Sequence, residues 1–342
     1  MSLGPVLKTI PLDFQWPTPD PFLFCVHHYD AYPQGNDEMA PPPESLKGRN
    51  IGSDFAPQNA WRMYHGDTVP GFPVHPHRGF ETVTVVQEGM VDHSDSMGAA
   101  GRYGGGDTQW MTAGKGVQHS EMFPLLHSDQ PNTMQLFQIW LNLPQQNKFV
   151  EPAFVMLWNE QIPRKVFADE NGARTRVEVI AGRLDELSPL APPPDSWAAD
   201  PANEVAIWII DMEANASWSL PAASAGVNRS LYFFSGDTLY IGETRIELMT
   251  GAVMQADASV VLKAGNQPAR ILILQGKPID EPVVSYGPFV MNTEEEIRQA
   301  YHDYQQTRFG GWPWEKADQV HPRDKGRFAR FADGREESPE GE

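Results

Sequence analysis

Apolar runs in this chain are short, and they are broken by glycine and proline: its 342 residues include 29 Gly and 31 Pro. Turn residues at that density, placed between β-branched runs, favour many short strands over long helices. Residues 81–87 (ETVTVVQ) and 135–141 (QLFQIWL) read as strands, as do 177–180, 205–211, 231–234, 239–241, 260–262 and 271–274. Such a series predicts an all-β sandwich or barrel. Ser235-Gly236-Asp237 lies between two of these runs and reads as a hairpin turn. A single helix is expected. Thr293 stands three residues before Glu296 as in a capping box, and Ile297, Ala300, Tyr301 and Tyr304 recur at helical spacing to about Arg308. Gly310-Gly311 then ends it. Beyond Trp314 the chain is charged and poor in aliphatic residues, so 315–342 is expected to be a mobile tail, with Phe328 and Phe331 available for docking.

At about 100–200 residues per domain, the length predicts two domains. The Pro-containing stretch 145–152 falls between strand runs and is taken as the boundary. The expected division is 1–148, 149–290 and a C-terminal 291–342 holding the helix and tail. Residues 1–3 are compatible with a vector-derived start. Turn glycines hint at two related halves, Gly89 and Gly106 in the first and Gly236 and Gly251 in the second.

The 45 acidic residues outnumber the 26 basic ones for a formal charge of -19, which argues against contact with phosphate backbones or anionic membranes. No apolar run approaches the ~20 residues that span a bilayer, and no signal peptide is read, so a cytoplasmic protein is the simplest expectation. The one cysteine, Cys25, sits in an apolar run and reads as a buried thiol; no intramolecular disulfide is possible.

The histidines carry the chemistry. Eight of the ten precede residue 130, and none lies between His127 and His302. His75-Pro76-His77 sets two imidazoles at i and i+2, which point to one face of an extended segment. His119-Ser120-Glu121 repeats the spacing with an imidazole and a carboxylate. Glu81 falls on the face of His75 and His77 if that strand stays regular. Two antiparallel strands bearing these pairs could offer three nitrogens and an oxygen to one ion with positions left open, a donor set suited to Fe, Mn, Zn, Ni or Cu. His27, His28, His65, His93, His127, His302 and His321 lack comparable partners and read as surface or packing residues.

Residues 75–89 (HPHRGFETVTVVQEG) and 106–122 (GDTQWMTAGKGVQHSEM) resemble the two signature segments of the pirin family. Residues 286–298 (YGPFVMNTEEEIR) and Arg308-Phe309-Gly310 resemble its C-terminal segment. The resemblance spans roughly 20–310, is weakest between 149 and 269, and departs from the commoner pattern in the long polar stretch 27–65. It implies two stacked cupin barrels, a bicupin, with one mononuclear metal, Fe(II) foremost, in the N-terminal barrel only. Its ligands would be His75, His77, His119 and Glu121, leaving Glu81 as a supporting group or alternative ligand. Carried from Gly89 and Gly106 to Gly236 and Gly251, the ligand offsets fall on Ala222, Ser224, Ala264 and Asn266, none a histidine.

The resemblance also implies quercetin 2,3-dioxygenase-type chemistry on a flavonol-like substrate with O2. Glu121 would be the base, and Phe80, Trp110 and Phe123 are candidate walls; the alternative for all three is core packing. A second reading is a metal-dependent regulator acting on a protein partner, in which Arg78 couples the metal's charge to the surface or simply pairs with an acidic neighbour. A third is a bicupin without redox chemistry.

Overall fold

The computed structural model describes residues 4–339; residues 1–3, read above as a vector-derived start, lie outside them. Among the described residues the chain is all-β with one α-helix, and it divides into two units that are not contiguous in sequence. One comprises Met1–Cys25 and Gln161–Asp280, the other Val26–Glu160 and Glu281–Glu342. The boundary expected at 145–152 is therefore displaced. Ala153–Leu157 pairs with Thr108–Thr112, so the first barrel needs a strand from beyond that point.

In the first of these units, a seven-stranded sheet runs Val6–Pro11, Thr250–Met254, Asn228–Ser235, Ala269–Gly276, Ala206–Met212, Arg174–Ala181, Arg164–Ala168. A second sheet holds Ser217–Leu220, Val260–Ala264, Thr238–Ile241 and Thr244–Glu247. Alternation turns Trp208, Ile210, Leu231, Phe233, Ile271 and Ile273 into one buried core. Ala264 belongs to that core, so apolar packing stands where the ligand offsets pointed. The hairpin read at 235–237 is a corner instead. Asn228–Ser235 pairs with Thr250–Met254 and Ala269–Gly276, whereas Thr238–Ile241 belongs to the other sheet. Gly251 lies within a strand and not in a turn.

The other unit carries the histidine pairs. One sheet contains Ala153–Leu157, Thr108–Thr112, Phe80–Glu88, Asn132–Asn142 and Phe22–Tyr32 in that order. The facing one runs Glu336–Glu337, Phe328–Arg330, Ala100–Gly104, Met90–Asp95, Val117–Met122, Gly71–His77. The helix Glu294–Thr307 starts at the expected capping box: Thr293 accepts from the Glu296 amide, and Glu296 accepts from the Thr293 amide. It stops where Arg308 and Phe309 turn left-handed. The segment expected to be a mobile tail is docked: Phe328–Arg330 pairs with Ala100–Gly104, and His321 is buried. Low aliphatic content misled there because the docking is done by backbone carbonyls and arginines.

Candidate metal centre

Gly71–His77 is an edge strand, which is why its core-facing stretch can contain Pro76 without losing a ladder hydrogen bond. It pairs antiparallel with Val117–Met122 so that His75 faces His119 and Phe72 faces Glu121. Met90–Asp95 lies on the other side of Val117–Met122, setting Asp95 opposite His119 and His93 opposite Glu121. Alternation on Val117–Met122 sends His119 and Glu121 inward and Gln118 outward, where it donates to the carbonyls of Arg308 and Gly311.

The ligand atoms of His75, His77 and His119 lie within 4.8 Å of one another. His77 and His119 are buried, and His75 is half-buried. His75 Nδ1 sits 2.9 Å from the Pro73 carbonyl, and only a protonated Nδ1 can bond there; this directs the lone pair of Nε2 away from the strand. His77 Nδ1 and both ring nitrogens of His119 are buried with no hydrogen-bond partner among the described residues. Burial pushes the His75 imidazole down to about 4, with charge repulsion from His65 and His93 working the same way. Burial and then neighbouring imidazoles hold His77 and His119 well below the ordinary value. Three neutral imidazoles thus converge without donors to serve them. An unserved buried polar atom costs about 1–3 kcal/mol, and a cation among the three rings would satisfy one lone pair on each. The residues present therefore fit a metal ion.

Glu121 Oε2 is 3.7 Å from His119 Nε2, beside the cluster, but its oxygens are engaged by two residues of the opposite sheet. Gln138 Nε2 donates to Oε2 at 2.8 Å, and Thr84 Oγ1 lies 3.1 Å from Oε1. Thr84 also lies 2.6 Å from Gln138 Oε1. Its single hydroxyl proton can serve only one acceptor, and Gln138 is the nearer. Burial raises the Glu121 pKa, with His93 and the contacts to Thr84 and Gln138 working against that rise. A cation at the histidines would favour the carboxylate.

The other expected site residues separate. Phe80 is a wall residue: it packs edge-on to His77 at 5.1 Å and stacks on Trp140 at 4.0 Å. Glu81 is not in the cluster. The turn at Arg78-Gly79, with Gly79 at φ +84°, shifts the alternation, so Phe80, Thr82 and Thr84 point inward and Glu81 outward to Thr112 Oγ1 at 2.6 Å. Trp110 shares the face of Thr112 and Glu81, so it is core packing on the outer side of that sheet. Phe123 stands one ring removed from the site, 6.1 Å from Phe72, which is 6.3 Å from His75. Arg78 turns to the helix, pairing with Asp303 at 2.7 Å and lying over Phe309. The acidic neighbour, not the site, is its partner.

His93 is the residue that sequence reading missed. It is fully buried, its ring lies 5.6 Å from that of His119, and its Nε2 lies 3.5 Å from Asp95 Oδ2. The signal was available, since His93-Ser94-Asp95 has the same i, i+2 spacing as the two pairs that were read. The polar stretch 27–65 buries a network in which Arg62 binds Asp30, Tyr64 donates to Asp30 at 2.7 Å, and His28 Nδ1 meets Tyr64 Oη at 2.8 Å.

Residues 47–141 match the family model described as "Pirin", and residues 207–310 match "Pirin C-terminal cupin domain". A Pseudomonas aeruginosa protein named "Putative quercetin 2,3-dioxygenase" is 36% identical over 239 residues, covering 70% of this chain and 79% of its own length. The chain belongs to the pirin family. Pirin-1 of Arabidopsis thaliana is 35% identical over 263 residues, covering 70% of this chain and 78% of its own. The crystal structure of quercetin 2,3-dioxygenase from Acinetobacter baumannii superposes with a TM-score of 0.70 at 24% identity, over 91% of this chain and 99% of that one. That likeness supports the two-domain cupin fold. The "Pirin" match contains His75, His77, His119 and Glu121 together with Thr84 and Gln138, so the whole candidate centre lies within the family's own segment.

Proposed function

We propose that this pirin is a mononuclear metal oxidoreductase of the quercetin 2,3-dioxygenase type. Iron would be bound by His75, His77, His119 and Glu121, and a flavonol-like aromatic substrate would react with O2. The observation that carries the reading is the convergence of the imidazoles of His75, His77 and His119, with His77 Nδ1 and both nitrogens of His119 lacking a hydrogen-bond partner among the described residues. The names of the relatives supply the substrate class. When bound, the ion would supply Lewis acidity that lowers the pKa of a chelating hydroxyl. His75, held through Nδ1 by the Pro73 carbonyl, presents Nε2 in a fixed orientation. Glu121 accepts the substrate's hydroxyl proton on a carboxylate oxygen, and Gln138 and Thr84 hold it in place. Phe80 and Trp140 form an apolar wall beside His77 that keeps water from the reacting ring.

The test is quercetin consumption coupled to oxygen uptake, on protein loaded anaerobically with Fe(II). The control is the His75→Ala/His77→Ala variant at equal total iron. Turnover by the native chain alone supports the assignment; equal rates in both, matching free iron, sink it.

A further inference from the structure

The two family models end at residues 141 and 310, so residues 311–339 lie outside both. This extension runs along the outside of the sheet whose inner face carries the histidines. Its hydrogen bonds land next to the candidate ligands, strand by strand. The Val74 amide, one residue before His75, donates to the Ala317 carbonyl at 2.8 Å. Gln118, one residue before His119, donates to the carbonyls of Arg308 at 2.7 Å and Gly311 at 2.9 Å, where the extension begins. Trp314 Nε1 donates at 2.7 Å to the carbonyl of Asp95, the register partner of His119. His321 donates its amide to Asp92 Oδ2 at 2.8 Å, and its ring Nε2 lies 3.1 Å from the His93 carbonyl.

The anchor of the extension is Arg102. Its guanidinium is buried and doubly paired with Asp92, both contacts at 2.7 Å. Its remaining N–H groups donate to the carbonyls of His321, Pro322 and Lys325 at 2.8–2.9 Å. A buried guanidinium needs all of those acceptors, so Arg102 and the extension depend on each other. Farther on, Arg327 pairs with Asp107 and Glu160, and Phe328–Arg330 covers the edge of Ala100–Gly104. Gly101 leaves room for it: a Cβ there would sit 3.0 Å from the Phe328 carbonyl.

We infer that residues 312–330 act as a strap that positions the ligand-bearing strands, so that metal retention at the histidine cluster depends on its docking. The inference rests on the metal reading above. Undocking would not remove a ligand. It would free the backbones of three adjacent strands to separate by fractions of an ångström, which a three-imidazole site registers as faster release.

The experiment uses the full chain loaded with Fe(II) and follows iron loss to excess chelator. The unfolding midpoint of the metal-free protein and amide exchange at Val74 are measured in parallel. Trp314→Phe removes one donor and leaves the packing; Trp314→Ala/Arg327→Ala loosens the strap at both ends. Iron loss should quicken about threefold for the first variant and at least tenfold for the second. Val74 should exchange faster in both, and the midpoint of Trp314→Phe should stay at the native value. If the double variant does not fold, Trp314→Phe carries the test. Faster Val74 exchange with unchanged iron loss overturns the strap, as does iron loss that merely tracks the fall in midpoint. A native chain that binds no iron at the histidines, judged against His75→Ala/His77→Ala, overturns the metal reading itself and the strap with it.

Discussion

Gln138→Leu isolates the support given to Glu121. The side chain makes two contacts at the centre, donating to Glu121 Oε2 at 2.8 Å and accepting from Thr84 at 2.6 Å. Leucine fills similar volume and provides neither. A hydrogen bond to a charged group contributes about 1.5–3 kcal/mol, so the carboxylate form of Glu121 should lose about that much stabilisation. With Glu121 as a ligand, iron affinity should fall about 10- to 100-fold, the range that supporting residues of metal ligands usually command. Thr84, relieved of Gln138, can then donate to Glu121 Oε1, which places the effect toward the lower end. Competition with a chromophoric chelator at fixed pH reads the change directly. Gln138→Glu, which brings a second carboxylate to Oε2, should raise the pH at which half the sites fill. An affinity within twofold of native for Gln138→Leu, in a folded protein, would refute Glu121 as a ligand held by this pair.

Stability should depend on pH through the buried imidazoles. Burial lowers His75 to about 4 and His28 to about 3, so below 6.5 the unfolded metal-free chain binds protons that the folded one refuses. Folding free energy should be level above about pH 7 and fall as pH drops toward 4, by roughly 3 kcal/mol per imidazole; urea unfolding at several pH values, with His75→Asn flattening the curve, checks it. Gly79→Ala should cost about 2–4 kcal/mol, because φ is +84° and a Cβ would strike the Val290 carbonyl; denaturant midpoints measure it, and a loss under about 0.5 kcal/mol would contradict the packing. Lys148→Met should cost about 2–4 kcal/mol by leaving the Gly79 carbonyl and Asn142 Oδ1, each 2.8 Å from the ammonium, without a donor. Arg78→Ala should leave iron affinity within twofold while weakening the helix dock by about 1 kcal/mol, since its ion pair is with Asp303.

The parts of the centre readable from sequence were those governed by alternation alone. His75/His77 and His119/Glu121 need only a locally straight strand to share a face, and each pair sits within one strand. Glu81 failed because its placement required regularity across Arg78-Gly79, and a left-handed glycine there shifts the phase by one residue. Trp110 takes the core-packing alternative left open for it, because aromatic character does not say which side of a sheet a residue faces and only pairing with Val83 and Val155 decides that. Gln138 and Thr84 were hidden in runs read correctly as strands, since nothing local marks a polar residue that will cross to the other sheet. The docked extension was misread for a related reason. Its contacts are made by main-chain carbonyls around Arg102, which composition does not reveal.

The interleaving of the two units bears on the order in which this polypeptide can mature during translation. The unit formed by Met1–Cys25 and Gln161–Asp280 has all of its strands once about 280 residues have left the ribosome. The histidine-bearing unit does not, because Phe328–Arg330 closes its sheet and Arg102 waits for His321, Pro322 and Lys325. Synthesis therefore completes that unit before the histidine-bearing one, and a nascent chain stalled near residue 300 would carry His75, His77 and His119 on a sheet still lacking Phe328–Arg330 and Glu336–Glu337. If the strap holds the ligand strands as inferred, a metal taken up before residue 330 has emerged would be released faster than one taken up afterwards.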